Sequence, residues 1–375
     1  EKVDPAEITS RKALARLPLT RKSALAARQR DMPPLGGYQG VALERIGRFY
    51  QSPGPVYEAD GRGPDHWRFA RSLWAAGIRR GELIHNSFSY HLTPAGNMVE
   101  SAARALSCPV FPGGVGNTEL QVQAMADLRP AAYCGTPSFL RILLDKGREL
   151  GRDLSSLRKA LVGGEALPPG LRAEFADRGV AVFQNYGTAD VGLIAYESSA
   201  REGLIVDEGV IVEIVRPDNG DPLPDGEVGE VAVTALVNDV YPLLRFATGD
   251  LSAILPGISP CGRTNRRLRG WLGRADQATK VKGMFVVPAQ INQVSARHPE
   301  IRKARLEVTS ENNADVMTLH CEVDADRHSS AAIALAAAIA ETVASVCKVR
   351  GHVEIVAPGS LPNDGKVIAD LRKYD

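Results

Sequence analysis

Cysteine is scarce in this chain and falls in no paired pattern. Five occur in 375 residues (Cys108, Cys134, Cys261, Cys321, Cys347), an odd number with no CxxC spacing. That argues against a zinc cluster and for reduced thiols in a cytoplasmic protein. Most of them read as small buried residues. No run of eighteen apolar residues is evident, so no transmembrane helix is expected. The start at Glu1 lacks the apolar core of a signal peptide, and the absence of a Met leaves trimming open. An excess of charge of either sign is also missing. Lys and Arg number 45 against 44 Asp and Glu, a net charge of +1, which gives no electrostatic case for nucleic acid or a membrane surface. The basic residues among the first thirty (Lys2, Arg11, Lys12, Arg16, Arg21, Lys22, Arg28, Arg30) read as a solvated helical face, with an anionic partner as the alternative.

What is present is a globular composition, 44% apolar and 24% charged, on a chain long enough for two domains. From about residue 65 helices and strands alternate. Helical spacing covers 65–73, 98–106 and 120–128, and short apolar strands cover 83–86, 108–111 and 131–134. This pattern predicts a largely parallel sheet with crossover helices, whose ligands sit beyond the carboxyl ends of the strands. After about 200 the pattern becomes antiparallel, with strands over 205–215 and 227–236 around a turn-rich loop at 217–221. A small α+β unit follows Asp276. It has a helix from Pro288 to Ala296, strands near 301–309 and 316–323, an Ala-rich helix over 330–346, and a last strand at 351–356. The fold class is therefore α/β: a large N-terminal domain (1–275) with mainly parallel sheets plus an antiparallel subdomain, and a small α+β C-terminal lid domain (276–375).

Four stretches carry chemistry. Leu161 to Ala166 is a strand ending in Gly163, Gly164 and Glu165, where absent side chains let a flat base approach the backbone, unless it is a plain turn. Val182 to Asp190 is a second strand-to-loop element containing Asn185, Tyr186, Gly187 and Thr188. Tyr241 to Asp250 ends in a Thr-Gly-Asp turn, and Gly273-Arg274-Ala275-Asp276-Gln277 follows. Together they offer a carboxylate for two ribose hydroxyls and a guanidinium fork for phosphate or ribose oxygen. Arg245 fits either that cluster or a structural ion pair. Leu361-Pro362-Asn363-Asp364-Gly365-Lys366 is a turn, read as leading into a helix, that presents an ammonium.

This order of parts resembles the adenylate-forming superfamily, and more closely its phenylacetate–CoA ligase branch, over nearly the whole chain from Leu17-Pro18-Leu19-Thr20-Arg21-Lys22 to Lys366. The resemblance implies an ATP-dependent carboxylic acid–CoA ligase that forms an acyl-adenylate and then a thioester, using ATP/AMP, Mg²⁺ and CoA. Gly163, Gly164, Glu165, Asn185, Tyr186, Gly187, Thr188, Asp250 and Arg274 then bind the nucleotide, and Asp190 stands where the family ligates Mg²⁺. Lys366 is the catalytic lysine, Asp276 the hinge, and Gly283 a lining of the CoA tunnel. Tyr90, His91 and Gly114 occupy positions lining an aryl or small-acyl site, although tyrosine and histidine there also suit plain packing. Expected partners are a small carboxylic acid and CoA, with a homodimer open and no nucleic acid or membrane.

The departures cluster where phosphates bind. The family's Ser/Thr/Gly-rich phosphate loop ends in a lysine. Here Tyr50 to Glu58 has Pro53 and Pro55, which lack amide donors, no lysine, and Glu58 as a like charge. Ala189 replaces a hydroxyl and Asp190 a glutamate. Two further readings follow: an adenylyltransferase without CoA, and a non-catalytic binder of AMP or acyl-CoA with a decayed loop.

Overall fold

The computed structural model describes residues 3–52, 56–277, 279–281, 284–311, 314–324 and 329–372. Lys282, Gly283 and Pro53 to Pro55 lie outside them. The chain divides into two compact units, Glu1–Thr248 with Ser252–Trp271, and Gly249–Leu251 with Leu272–Asp375.

The first unit is built on a nine-stranded sheet. Five strands, Val110–Pro112, Ile84–Asn86, Ala132–Gly135, Lys159–Val162 and Ala181–Thr188, run parallel in that spatial order. The three central strands, Ile84–Asn86, Ala132–Gly135 and Lys159–Val162, are almost wholly buried, because crossover helices cover both sides of a parallel sheet. The sheet continues antiparallel through Gly192–Glu197, Leu204–Val206, Arg267–Leu268 and Ile254–Leu255. The loop after Ala132–Gly135 becomes a helix start by simple chemistry. Thr136 Oγ1 accepts from the Phe139 amide at 3.3 Å and Pro137 sits in the first turn, where its missing N–H costs nothing. A separate four-stranded sheet orders Thr20–Arg21, Phe246–Ser252, Gly229–Ala235 and Val210–Val215. The α/β class, the parallel core and the antiparallel subdomain are as expected.

The helix expected over 65–73 is shorter, Ala70–Ala75. Asp65 and Arg68 take left-handed backbones, φ 48° and 67°, which a helix cannot contain. Asp65 instead accepts from the Ala70 amide at 3.0 Å. The buried Arg68 guanidinium meets Asp207 at 3.1 Å and the Leu193 carbonyl at 2.9 Å. The apolar spacing there marks buried residues, Trp67 and Phe69, rather than a helical face.

Arg245 is the structural ion pair and not part of a nucleotide cluster. It is 2% exposed, and its Nε donates to Glu213 Oε2 at 3.0 Å. Its other nitrogens donate to the carbonyls of Leu17 and of Gly220. One guanidinium thereby ties the N-terminal segment to the antiparallel sheet. The hairpin of Ile46–Ser52 and Val56–Gly61 carries Glu58, fully buried and hydrogen-bonded to Ser52. Burial, reinforced by the charge of nearby Asp190, pushes the Glu58 carboxyl up to about 8. At neutral pH it is a protonated acid, not the like charge expected from sequence.

The second unit has a four-stranded sheet in the order His352–Val356, Ala314–Val323, Ile301–Glu311, Ile368–Asp370. Its core includes Ile291 and Val294 from the helix Pro288–Arg297, and Ile339 and Val343 from the helix Ser330–Cys347. The latter is 18 residues long with a mean hydropathy of 1.8. By length and mean hydropathy alone it could cross a membrane, but Ser330, Glu341, Thr342 and Ser345 interrupt it, so it is not an unbroken apolar run. Much of that hydropathy is alanine, and Ala332, Ile339, Val343 and Cys347 are buried in this unit. The Lys366 loop leads not into a helix but into the strand Ile368–Asp370, which pairs parallel with Leu306 to Val308. The sheet has an edge there, and the apolar Ile368 and Ala369 are buried on it.

Two stability changes follow. Arg245→Met leaves Glu213 buried without its cation and lowers unfolding free energy by about 3–5 kcal/mol in denaturant titration. Arg245→Met with Glu213→Leu recovers most of that loss; a double variant no better than the single one would contradict the pairing. Glu58, raised from an ordinary 4.5 to about 8, holds its proton more tightly folded than unfolded. Its contribution is full below pH 4.5 and is lost as pH rises through 8. Glu58→Gln, having no proton to lose, therefore raises Tm above pH 8 by about 3–8 °C relative to the parent and changes it little at acid pH. Equal shifts at both ends would refute the buried acid.

Candidate active site

In the first unit the strand ends bring the expected nucleotide residues together. Lys159–Val162 runs into Gly163, and Ala181–Thr188 carries Asn185, Tyr186, Gly187 and Thr188. Asn185 Nδ2 donates to the Val162 carbonyl at 3.2 Å, laying its amide over Gly163. A Cβ on Gly163 would lie 2.5 Å from Asn185 Oδ1, so only glycine lets these two strand ends close up. Gly164 has a φ of +77°, and a Cβ there would only touch Thr136 Cγ2 at 3.9 Å. Glu165 is exposed, reached by the Ser138 amide at 3.3 Å. Tyr186 donates through its hydroxyl to Thr248 Oγ1 at 3.2 Å. The motif is more regular than the loop expected from sequence. Its strand continues to Thr188 and turns back at once, with Thr188 facing Gly192 and Gly187 facing Leu193. Thr188 Oγ1 accepts from the Val191 amide at 3.3 Å across that turn.

Asp190 sits in the turn and is 2% exposed. Its Oδ2 is 3.1 Å from Lys22 Nζ, which also donates to Ser52 Oγ at 3.0 Å and lies 4.0 Å from Glu58. Burial raises the Asp190 carboxyl, and the ammonium opposes that shift. This set does not fit a divalent cation. Mg²⁺ and its relatives want several oxygen ligands carrying net negative charge. Here the carboxylate is already neutralised by an ammonium and the next carboxyl is protonated. No group of three or more His, Cys, Asp or Glu that could hold a metal exists among the described residues. In this structure Asp190, expected as a metal ligand, is the ion-pair partner of Lys22. Lys22 itself was missed. It lies 168 positions from Asp190, and no spacing rule connects them.

The expected acid-binding residues divide. The Tyr90 hydroxyl accepts from Asn86 Nδ2 at 2.8 Å, and that amide also reaches the Gly96 carbonyl at 2.9 Å. A Cβ on Gly96 would lie 2.8 Å from the Tyr90 ring, so the ring packs on the start of the helix Ala95–Ala105. Gly114, φ +66° with open space around it, donates through its amide to the Asn86 carbonyl at 3.0 Å. Asn86 thus joins Tyr90 and Gly114. His91 is exposed and is not part of that network. Beneath the glycine loop, buried Gln121 donates to the carbonyls of Gly114 and Gly116 at 3.0 and 2.6 Å. It accepts from Ser87 at 2.9 Å and lies 2.7 Å from His85 Nε2. His85 and Asn86 are polar residues at the end of a buried strand, the one sequence signal that marks them, and Gln121 carries none.

In the second unit Arg274 Nη1 is 3.3 Å from Asp250 Oδ1, and the two residues form an isolated antiparallel bridge. Gly249, φ +75°, makes room, since a Cβ there would lie 2.5 Å from Arg274 Nη2. Arg274 Nε also donates to Asp276 Oδ1 at 3.3 Å. Lys366 is exposed, on a turn fixed from both sides. Its amide donates to Asp364 Oδ1 at 3.0 Å, and Asp364 is clamped by Arg305 at 2.8 and 3.0 Å. Gln277 Oε1 accepts from the Val367 amide at 3.1 Å. The backbone is held while the ammonium has no hydrogen-bond partner among the described residues.

Residues 101–235 match the model of the AMP-binding enzyme family, and residues 283–372 that of the AMP-binding enzyme C-terminal domain. The phenylacetate–coenzyme A ligase of Thermus thermophilus is 33% identical over 337 residues, covering 86% of this chain and 74% of that protein. The one from Escherichia coli K12 is 30% identical, covering 99% and 88%. A crystal structure of an open conformation of 2-hydroxyisobutyryl-CoA ligase with 2-HIB-AMP and CoA superposes with a TM-score of 0.87 at 25% identity, over 98% of this chain and 85% of that one. The chain belongs to the phenylacetate–CoA ligase family of AMP-binding, adenylate-forming enzymes.

Proposed function

We propose that the protein is an ATP-dependent carboxylic acid–CoA ligase working through an acyl-adenylate. The observation that carries this is Lys366, whose ammonium has no hydrogen-bond partner among the described residues and whose turn is pinned through its backbone by Asp364, Arg305 and Gln277. A surface lysine needs no such anchoring. A lysine that must meet developing charge gains from it, because with the backbone already held only its side chain remains to be ordered.

In the first half-reaction a carboxylate oxygen of the acid attacks the α-phosphorus of ATP. The new O–P bond forms as the bond to the β-phosphate oxygen breaks, and pyrophosphate leaves with the electron pair. Lys366 stabilises the charge shared between carboxylate and phosphate. Asp250 accepts from the ribose hydroxyls with Arg274 beside it, and Tyr186 stacks on the base next to Gly163 and Gly164. In the second half-reaction the CoA sulfur attacks the acyl carbon, its proton goes to solvent, and AMP departs. The division at 276, with Asp276 as hinge, belongs to this reading. Tyr90 and Gly114, linked through Asn86, suit a flat or small acyl group, an aromatic wall facing a gap without a side chain. No step is routed through a metal at Asp190.

The test is pyrophosphate exchange into ATP across a panel of aryl and short acyl acids, for the parent and Lys366→Ala. Exchange dependent on one acid class, falling by about 10²–10³ or more in the variant, is the expected result. Exchange without CoA-dependent thioester formation would favour an adenylyltransferase using another acceptor. No exchange with any acid, while AMP still raises Tm, would make the protein a nucleotide binder.

A further inference from the structure

The loop from Ser52 carries no lysine, and the carboxylate at 190 is not set up for a metal. Yet a cation stands at this place. Lys22 opens the helix Lys22–Asp31, whose first turn has no side-chain cap, so the helix dipole adds to the field of the ammonium. The ammonium has three donors. One goes to Asp190 and one to Ser52, at 3.1 and 3.0 Å, while Glu58 at 4.0 Å is beyond hydrogen-bond reach. The groups beneath it are sealed, with Ser52 4%, Glu58 0% and Asp190 2% exposed. Lys22 keeps 34% of its side chain in solvent. It is anchored on its buried side and open on the other. Its two anchors are informative. Ser52 begins the Ser52-Pro53-Gly54-Pro55 stretch, and Asp190 ends the Tyr186 to Asp190 motif. These are the two segments of this unit from which phosphate contacts are expected.

On the reading that the protein binds ATP, we propose that Lys22 is the phosphate-binding cation of the first unit. Its fixed ammonium takes the part expected of a loop lysine and of a metal held by Asp190. The charge balance supports this. With Glu58 protonated, Lys22 and Asp190 together are neutral, so an incoming phosphate meets a donor and no uncompensated carboxylate. Ser52 and Asp190 also hold the ammonium in one position, so its ordering entropy is spent before the nucleotide arrives.

The probes are AMP and adenosine, which differ only in the phosphate, measured by calorimetry in excess EDTA and in excess magnesium. The parent is expected to bind AMP with affinities within about threefold in the two buffers, and Lys22→Met to lose about 10–100-fold for AMP with adenosine unchanged. Lys22→Arg should keep most of the AMP affinity. Lys22→Met leaves Asp190 buried and unpaired, so Lys22→Met/Asp190→Asn, which buries no lone charge, must show the same selective loss. Equal losses for AMP and adenosine would make Lys22 a structural residue. An unchanged AMP affinity in both Lys22→Met variants, or a strong gain with magnesium in the parent, would also overturn the proposal while leaving the ligase reading intact. A parent that binds neither probe would overturn both.

Discussion

Two carboxyl groups lie sealed under the strand ends of the first unit, and one ammonium makes that arrangement tenable. An isolated buried carboxylate costs far more than a folded protein can spare. Glu58 escapes by keeping its proton and Asp190 by taking the ammonium of Lys22. Lys22 can do this only if the N-terminal segment runs across the antiparallel sheet. Thr20 and Arg21 pair parallel with Phe246 and Ala247, and Arg245 grips the Leu17 carbonyl while its Nε meets Glu213. The ion pair at 245 is thus the support and the ion pair at 22 its consequence. The Tyr186 motif, the start of the Ser52 stretch and the hairpin bearing Glu58 all meet at that point.

Where periodicity and turn chemistry decide, the sequence was readable. The five parallel strands, the antiparallel continuation and the small second unit follow from apolar spacing and from where the glycines fall. Asp250 and Arg274 were named as a pair and lie 3.3 Å apart. The failures share a cause, which is that burial or tertiary pairing overrode a local signal. Asp65 to Phe69 has helical spacing, but Arg68 is drawn to Asp207 and the backbone turns left-handed. The turn at Lys366 suggests a following helix, but a sheet edge takes Ile368 to Asp370 as a strand. Glu58 looked like a charge because sequence does not report that it is buried. Lys22, Gln121 and Asn86 act through partners far away in the chain or through backbone carbonyls, and no spacing rule finds such contacts.

The proposed chemistry is shared between the units according to what each can hold still. The first offers rigid strand ends, where Gly163 admits the Asn185 amide and Gln121 fixes the Gly114 loop. Such surfaces suit a base and an acyl group, recognised by shape. The second offers charge on tethered turns, the Asp250–Arg274 bridge and Lys366. Charge on a tether suits a reaction in which negative charge moves from carboxylate to phosphate. The departures of the sequence from its family around Ser52 and Asp190 then need not mean decay. On the proposal for Lys22, a cation supplied from the N-terminal helix stands in for one supplied from the loop.

The central claim is that the carboxylate of the acid becomes bonded to the α-phosphate. The most direct measurement is to supply an accepted acid with both carboxylate oxygens labelled with oxygen-18, together with ATP and CoA, and to weigh the AMP formed. The account predicts one labelled oxygen in each AMP, with pyrophosphate unlabelled and the thioester retaining the other label. AMP without label, or ADP and phosphate in place of AMP and pyrophosphate, would contradict it.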